Sequence, residues 1–340
     1  MGGWSRSGRI VNHWPGANPQ AERRDYELVD MTDHEMVDMM EQRRPTSERQ
    51  NQKQDQWAAW LAQHRHGGDP EYLRQTLDVL APVRDRVIAN AKIAPGMRVL
   101  DVGSGDGLIA FAAAEAVGPT GEVVFSDVSA DLLDRCRQLA QEADVLGRCR
   151  FVEAPARNLS AIADSSVDAV TFRSVIIYES EKAQAFAEFH RVLCPGGRLS
   201  LSEPINRFAF PEPPDRYEGY DVGPVADLVA KVEAVYEAIQ PPDSDPMLNF
   251  DERDLIVLAD AVGFAEVHLV LHADIEPPPR RRWLPFVNSS GNPRIPTLAE
   301  AMSQALTPDE AERLVAHLQP LVEERRGRRR MARAYLWAIR

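Results

Sequence analysis

From Arg98 onward, short apolar runs alternate with segments whose apolar positions recur every three to four residues. That rhythm predicts strands joined by helical crossovers, and hence a parallel sheet. The strand candidates are RVLDVG, EVVFSD, RFVEA, VDAVTF and RLSLSEP, and helices fit between them over 108–117, 130–143 and 182–193, the last closed by the turn CPGG. After Glu203 the rhythm breaks into a proline-rich stretch, 204–224, then a helix near 225–238 and the loop QPPDSDP. A sixth unit resumes with a helix over 251–262, Gly263 as its C-cap, and the strand AEVHLVLHA. More than fifty residues then precede the terminal apolar run MARAYLWAI, and they carry the helical patterns TLAEAMSQAL and PDEAERLVAHLQPLVEER. Such patterning is not that of a slack loop.

Upstream of Arg98 the pattern is purely helical. Trp57, Trp60 and Leu61 fall in one segment, and Asp69-Pro70 opens another that carries Tyr72, Leu73, Leu77, Leu80, Val83 and Val87, with HGGD between them. Residues 1–44 combine Gly, Pro, Asn and dense charge, which predicts a flexible or conditionally ordered arm. Its helical candidate, MTDHEMVDMMEQ, groups Met31, Met36, Val37, Met39 and Met40 for docking on the body or on a second subunit, so a homodimer is one expectation. The organisation expected is an arm (1–44), a helical cap (45–92), a ligand-binding core (93–204), a lid insertion (205–250), a core continuation (251–276), a helical insertion (277–328) and a last core strand (329–340).

Composition narrows the class. With 340 residues, 44% hydrophobic, the chain can bury a full core. Its net charge of -13 opposes broad binding to nucleic acid or an anionic membrane, although PRRRW and RRGRRR are local basic clusters that serve as solvated faces, helix ends or anion patches. The first residues lack the apolar core of a signal peptide and no stretch has the length to cross a bilayer, so the expected compartment is the cytoplasm. Cys136, Cys149 and Cys194, an odd number without metal-ligand spacing, read as reduced thiols.

The chemistry concentrates in VLDVGSGDG. Asp101 ends a buried strand, and Gly103, Gly105 and Gly107 permit a sharp turn that lets backbone approach a ligand closely. A dinucleotide fingerprint would need its third glycine at position 108, which is Leu108. The arrangement instead resembles motif I of the class I S-adenosylmethionine-dependent methyltransferases, and four further elements match in order. VVFSDVS ends a second strand at Asp127, RFVEAPARNLS resembles the third strand and its turn, VDAVTFRSVIIY the fourth strand, and EFHRVLCPGGRLSLSEP the helix, turn and fifth strand.

The resemblance implies an α/β fold: a Rossmann-like doubly wound sheet of seven strands, mostly parallel with an antiparallel last strand, carrying N-terminal helices and helical insertions. It implies S-adenosyl-L-methionine as cofactor. Asp101, Gly103, Ser104, Gly105 and Gly107 would form the turn around it, and Asp127, with Val128 beside it, would grip the ribose hydroxyls. Ala154 would flank the base, Ala156 would offer it a backbone N–H, and the carbonyl near Arg173 would meet the ammonium. Pro155 departs from the family, many of whose members place there an aspartate that accepts from the adenine amino group.

The implied reaction is an in-line displacement at the sulfonium methyl, for which the protein supplies alignment, dryness and a proton acceptor. No metal is expected, because HRH at 64–66 lacks a third ligand and FRSVIIYES supplies Glu179 without the cluster of the metal-dependent catechol branch. The candidate bases and acceptor contacts are His64, His66, Tyr178 and Glu203. Each has a structural alternative as a cap, core polar group or ion pair, as has Arg173, which otherwise suits a carboxylate. The acceptor expected is an oxygen or nitrogen of a small organic molecule or peptide in specialised metabolism, with neither nucleic acid nor membrane as partner. Thiol or arsenic chemistry would need cysteines at the rim. The rival reading is a noncatalytic S-adenosylmethionine-binding or scaffold protein of the same fold.

Overall fold

The structure, a computed structural model, describes residues 55–340. The expected arm and its methionine-rich helix lie outside these residues. Five parallel strands follow, with helices joining each consecutive pair except β3 and β4, which a loop connects: β1 (Arg98–Val102), β2 (Glu122–Asp127), β3 (Cys149–Glu153), β4 (Val167–Arg173) and β5 (Leu193–Pro204). Two tiny strands, β6 (Arg216–Tyr217) and β7 (Tyr220–Asp221), make a hairpin that no sequence signal announced. Two long strands, β8 (Glu266–Glu276) and β9 (Arg329–Ile339), complete the sheet.

Its order is β3-β2-β1-β4-β5-β9-β8, with β9 antiparallel to both of its neighbours. This is the seven-stranded, mostly parallel, Rossmann-like arrangement that the resemblance implied. The direction of winding reverses between β1 and β4, so the carboxyl ends of these strands open the crevice in which such sheets bind ligands.

The helices are α1 (Gln56–Ala59, continuing as a wider π turn over Trp60–His64), α2 (Pro70–Ala91), α3 (Leu108–Val117), α4 (Ala130–Glu142), α5 (Lys182–Val192), α6 (Ala226–Ile239), α7 (Glu252–Ala261), α8 (Trp283–Val287), α9 (Leu298–Ala305) and α10 (Pro308–Glu323). Side chains alternate across the strands, so Leu100 and Val102 enter one layer with Phe186 and Phe189, while Val99 and Phe125 enter the other with Ala91 and Ala110. No described helix is long and apolar enough to cross a membrane.

Two features correct the periodicity reading. CPGG is not a turn between helix and strand: β5 begins at Leu193, opposite Val167, and the next pair is Arg198 with Ala169, so residues 194–197 bulge out of a continuous strand. The second concerns the two insertions. Val225, Leu228 and Val232 from the first share a core with Phe286, Met302, Leu314 and Leu318 from the second, so both fold together as one helical body.

Candidate active site

At the end of β1, Gly103, Gly105 and Gly107 all have positive φ (61°, 55° and 86°), and the first and third have no room for a side chain. A Cβ on Gly103 would stand 2.5 Å from Val175 Cγ2, and one on Gly107 would stand 2.4 Å from Phe111. Gly105 differs: the nearest atoms to the place its Cβ would take are the Gly103 carbonyl oxygen at 3.9 Å and Leu61 Cδ1 of the cap at 4.0 Å. The turn thus presents a bare cradle, roofed by the cap.

Two carboxylates frame the cradle. Asp127 accepts the amide of Gly105 on Oδ2 at 2.8 Å and that of Ser129 on Oδ1 at 2.9 Å, which leaves lone pairs on both oxygens. Burial raises its pKa against these bonds. Asp101 is buried beneath the turn and accepts from Thr171 Oγ1 at 2.8 Å, and burial pushes its pKa up to about 7 despite that bond. Ser104 ties the turn down, its hydroxyl donating to the Asp101 carbonyl at 3.0 Å and its amide to the Ser126 carbonyl at 2.9 Å. A nucleoside-sulfonium fits these groups: a diol can donate to Asp127, and an ammonium can restore charge to Asp101. Val128 is 48% exposed beside Asp127, while Ala154 and Ala156 are buried on the next strand end, where the Ala154 amide donates to the Asp127 carbonyl at 2.9 Å.

The rim after β4 assigns its residues differently from the sequence expectation. Glu203 does not face open space. It is fully buried at the end of β5, and its carboxylate accepts the amides of Val175 at 2.7 Å, Ile176 at 3.0 Å and Ile177 at 3.2 Å. Its expected acceptor contact therefore gives way to a positioning role, because the carboxylate is spent on holding the β4 loop. Burial nevertheless raises its pKa to about 7. Glu179 is likewise engaged, by Arg157 at 2.9 Å. Tyr178 packs its ring edge-on to Trp57 of the cap at 4.9 Å between centroids, and burial raises its pKa. Arg173 donates to Ser174 Oγ at 3.1 Å and has no carboxylate in ion-pair contact among the described residues. Burial, then the nearby charge of Arg65, lowers its pKa to about 10.

The two candidate histidines part company. His64 lies on the seam between the cap and the helical body, its carbonyl accepting the Ser290 amide at 3.0 Å, and it lines an outer cleft of about 260 Å³ with Trp60, Ser290 and Pro293. His66 points inward instead. Its Nε2 atom is buried without a hydrogen-bond partner, its ring meets Tyr72 edge-on at 5.6 Å, and Asp106 of the turn is within electrostatic reach. Burial first, then Arg65 and Arg281, lowers its pKa to about 4, so the ring is neutral above pH 5. Among the described residues no cluster of three His, Cys, Asp or Glu side chains gathers as for a metal ion.

The cap is clasped to the body. Trp60 Nε1 donates to the Ser290 carbonyl at 2.9 Å, Arg282 pairs with Asp69 at 3.0 Å, and Gly67 packs on the Pro285 backbone. Asp69 also caps α2 by accepting the Glu71 amide, so one carboxylate starts the helix and fastens the cap. Asp55 ties the other end: it caps α1 through the Ala58 amide and accepts from Ser129 Oγ at 2.5 Å, next to Asp127. Sequence reasoning missed Asp55, Asp69 and Arg281 as contributors to the site. The helix-start signal of Asp69-Pro70 was readable, but the partners across the chain were not.

Residues 99–197 match a family described as a methyltransferase domain. The arsenite methyltransferase of Halobacterium salinarum is 34% identical over 169 residues, which is 48% of this chain and 43% of that protein. The ubiquinone/menaquinone biosynthesis C-methyltransferase UbiE of Stutzerimonas stutzeri is 31% identical over 193 residues, 54% of this chain and 73% of that protein. The chain thus spans less than half the length of the first of these relatives and about three quarters of the second. Among solved structures, the YcgJ protein of Bacillus subtilis is 19% identical, with a TM-score of 0.46 over 76% of this chain and 98% of that one.

Proposed function

The chain belongs to the class I S-adenosylmethionine-dependent methyltransferases, and on that premise we propose that it methylates an oxygen or nitrogen of a small organic molecule, with His66 as proton acceptor. The observation that carries this reading is the state of His66: buried and unpartnered at Nε2, neutral above pH 5, and within electrostatic reach of Asp106 in the glycine turn. A hydroxyl or a protonated amine must lose its proton as it is methylated, and a neutral imidazole with a ring nitrogen free of partners can take it.

S-adenosylmethionine supplies an activated sulfonium methyl group. The chain's own residues hold and enclose it: Asp127 accepts from the ribose, Asp101 meets the ammonium, Gly105 leaves room at the turn, and Leu61 covers it. Glu203 acts at one remove by fixing the amides of residues 175–177, so that Tyr178 and Arg173 keep their places on the rim. On this reading the helical body, which folds around its own core, closes the acceptor side over a medium-sized substrate.

Two relatives' names suggest other acceptors. Similarity to a C-methyltransferase favours a second reading, in which the nucleophile is the carbon of an enol whose hydroxyl His66 deprotonates. Arsenite is less well supported, since a soft metalloid calls for converging thiols. Cys136 is buried under the turn with its thiol pKa raised by burial, while Cys149 and Cys194 stand at the opposite, amino-terminal ends of β3 and β5.

The experiment is incubation with methyl-labelled S-adenosylmethionine and a small-molecule library, with the labelled atom located by NMR. Label on oxygen or nitrogen is expected; label on carbon selects the second reading. Tight cofactor binding with no labelled product across the library would favour the noncatalytic reading.

A further inference from the structure

Outside the cofactor cradle, three buried polar atoms without hydrogen-bond partners occur in one neighbourhood: His66 Nε2, Arg281 Nε and Tyr220 Oη. Aromatic contacts bind that neighbourhood together. The Arg281 guanidinium lies over Tyr72 at 4.5 Å and over Phe286 at 4.8 Å, the His66 ring meets Tyr72 at 5.6 Å, and the Tyr220 ring meets Phe286 at 5.9 Å. Tyr220 is 1% exposed and the Arg281 side chain 9%. We propose that Arg281 and Tyr220 form a subsite for a carboxylate of the methyl acceptor, joined to His66 through the Tyr72 ring. The inference rests on the methyltransferase reading and specifies its substrate class.

Burying a donor without a partner is costly, and native proteins seldom leave three together unless something fills the gap. The guanidinium is already fixed at its other end, where it donates to Ser289 Oγ at 2.5 Å and faces Glu218, itself 46% exposed, at 3.5 Å. Held between two rings, it offers its Nε–H edge with little freedom to lose. A carboxylate can accept from that N–H and from the tyrosine hydroxyl at once, and its charge is favoured by the Arg281 guanidinium, which also acts on the Tyr220 hydroxyl.

The provenance of the residues points to substrate rather than cofactor. His66 and Tyr72 come from the cap, Tyr220 from the first insertion, and Arg281 and Phe286 from the second, while the glycine turn and Asp127 belong to the sheet. His66 is the link: Asp106 of the turn and Arg281 of the second insertion both act electrostatically on its ring. An acceptor anchored at Arg281 would therefore present its nucleophile near the imidazole.

The test uses the full chain saturated with S-adenosylhomocysteine and titrated with benzoate, benzamide and phenyl phosphate. Benzoate is expected to bind at least tenfold more tightly than its neutral isostere benzamide and than phenyl phosphate. Tyr220→Phe and Arg281→Gln should each weaken benzoate about tenfold, leaving S-adenosylhomocysteine affinity unchanged. Equal binding of benzoate and benzamide to the unaltered protein would overturn the subsite without any variant, and tighter phenyl phosphate binding would overturn the carboxylate assignment. Failure of the unaltered protein to bind S-adenosylhomocysteine would overturn the methyltransferase reading itself.

Discussion

Asp127 and Gly105 are joined by a 2.8 Å hydrogen bond from the Gly105 amide to Oδ2, so the end of β2 and the turn after β1 form one unit. Asp127→Ala removes this tether, the bond from Ser129 and the acceptors for a ribose diol. Hydrogen bonds to charged groups contribute about 1.5–3 kcal/mol each, so two or more losses predict S-adenosylhomocysteine affinity reduced at least about 100-fold. Calorimetry decides the matter, and unchanged affinity would remove Asp127 from the site.

Asp101 predicts a proton released on cofactor binding. Burial raises its pKa from 3.8 to about 7, so near pH 6 the ligand-free protein holds the carboxyl largely protonated. An ammonium beside it favours the ionised form. Calorimetric enthalpies of S-adenosylhomocysteine binding at pH 6 should therefore vary with the ionisation enthalpy of the buffer, reporting close to one proton released. Asp101→Asn should abolish the variation; buffer-independent enthalpies in the unaltered protein would contradict the assignment. The same shift sets a stability trend. A carboxyl whose folded pKa exceeds its unfolded one stabilises the fold most below pH 3.8 and loses that contribution as pH rises through about 7. Glu203, raised from 4.5 to about 7, adds to the loss.

The cap depends on Gly67. A Cβ there would lie 2.0 Å from the Pro285 carbonyl oxygen, and the residue has φ +57°, whereas Gly68, at φ +70°, has nothing within 4 Å. Gly67→Ala should push the cap off the helical body and expose the Trp60 ring, seen as red-shifted tryptophan emission and faster proteolysis near residue 65. Gly68→Ala carries only the backbone strain. Similar emission and cleavage in the two variants would show that the Gly67–Pro285 contact does not hold the cap.

The contrast between these two glycines shows where sequence reading reaches its limit. HGGD was legible as the break between two helical segments, but that one glycine is pressed against a residue more than two hundred positions away was not. Strands from Arg98 to Glu203, the motif turn and Asp127 were legible because each depends on local periodicity and turn chemistry. CPGG looked like an ordinary turn because a bulge is a property of register between β4 and β5 rather than of four residues. Glu203 was placed at the correct strand end, yet its use was hidden, since it is spent on amides 26 to 28 positions earlier that only the packed loop brings together. The shared core of the two insertions was hidden for the same reason.

The pH profile of turnover tests His66 most directly. The groups that act on its ring are Arg65 beside it, Asp106 from the turn, Arg281 from the helical body and the Tyr72 edge from α2. Burial and the two arginines outweigh Asp106 and lower its pKa from 6.5 to about 4. Protonation disables a base, so the acid limb of kcat/KM should fall near pH 4 instead of 6.5, with a plateau above pH 5. Removing one of the cations reduces the penalty on the imidazolium, so Arg65→Gln should move the limb towards higher pH. His66→Asn should lower kcat by about 10²–10⁴, the range of a lost general base, with S-adenosylhomocysteine affinity preserved. The opposite stability trend accompanies it: because the unfolded histidine binds its proton first, stability present above pH 6.5 is lost as pH falls towards 4. An acid limb at 6.5, or a His66→Asn variant with the original rate and profile, would transfer the role of base to another group.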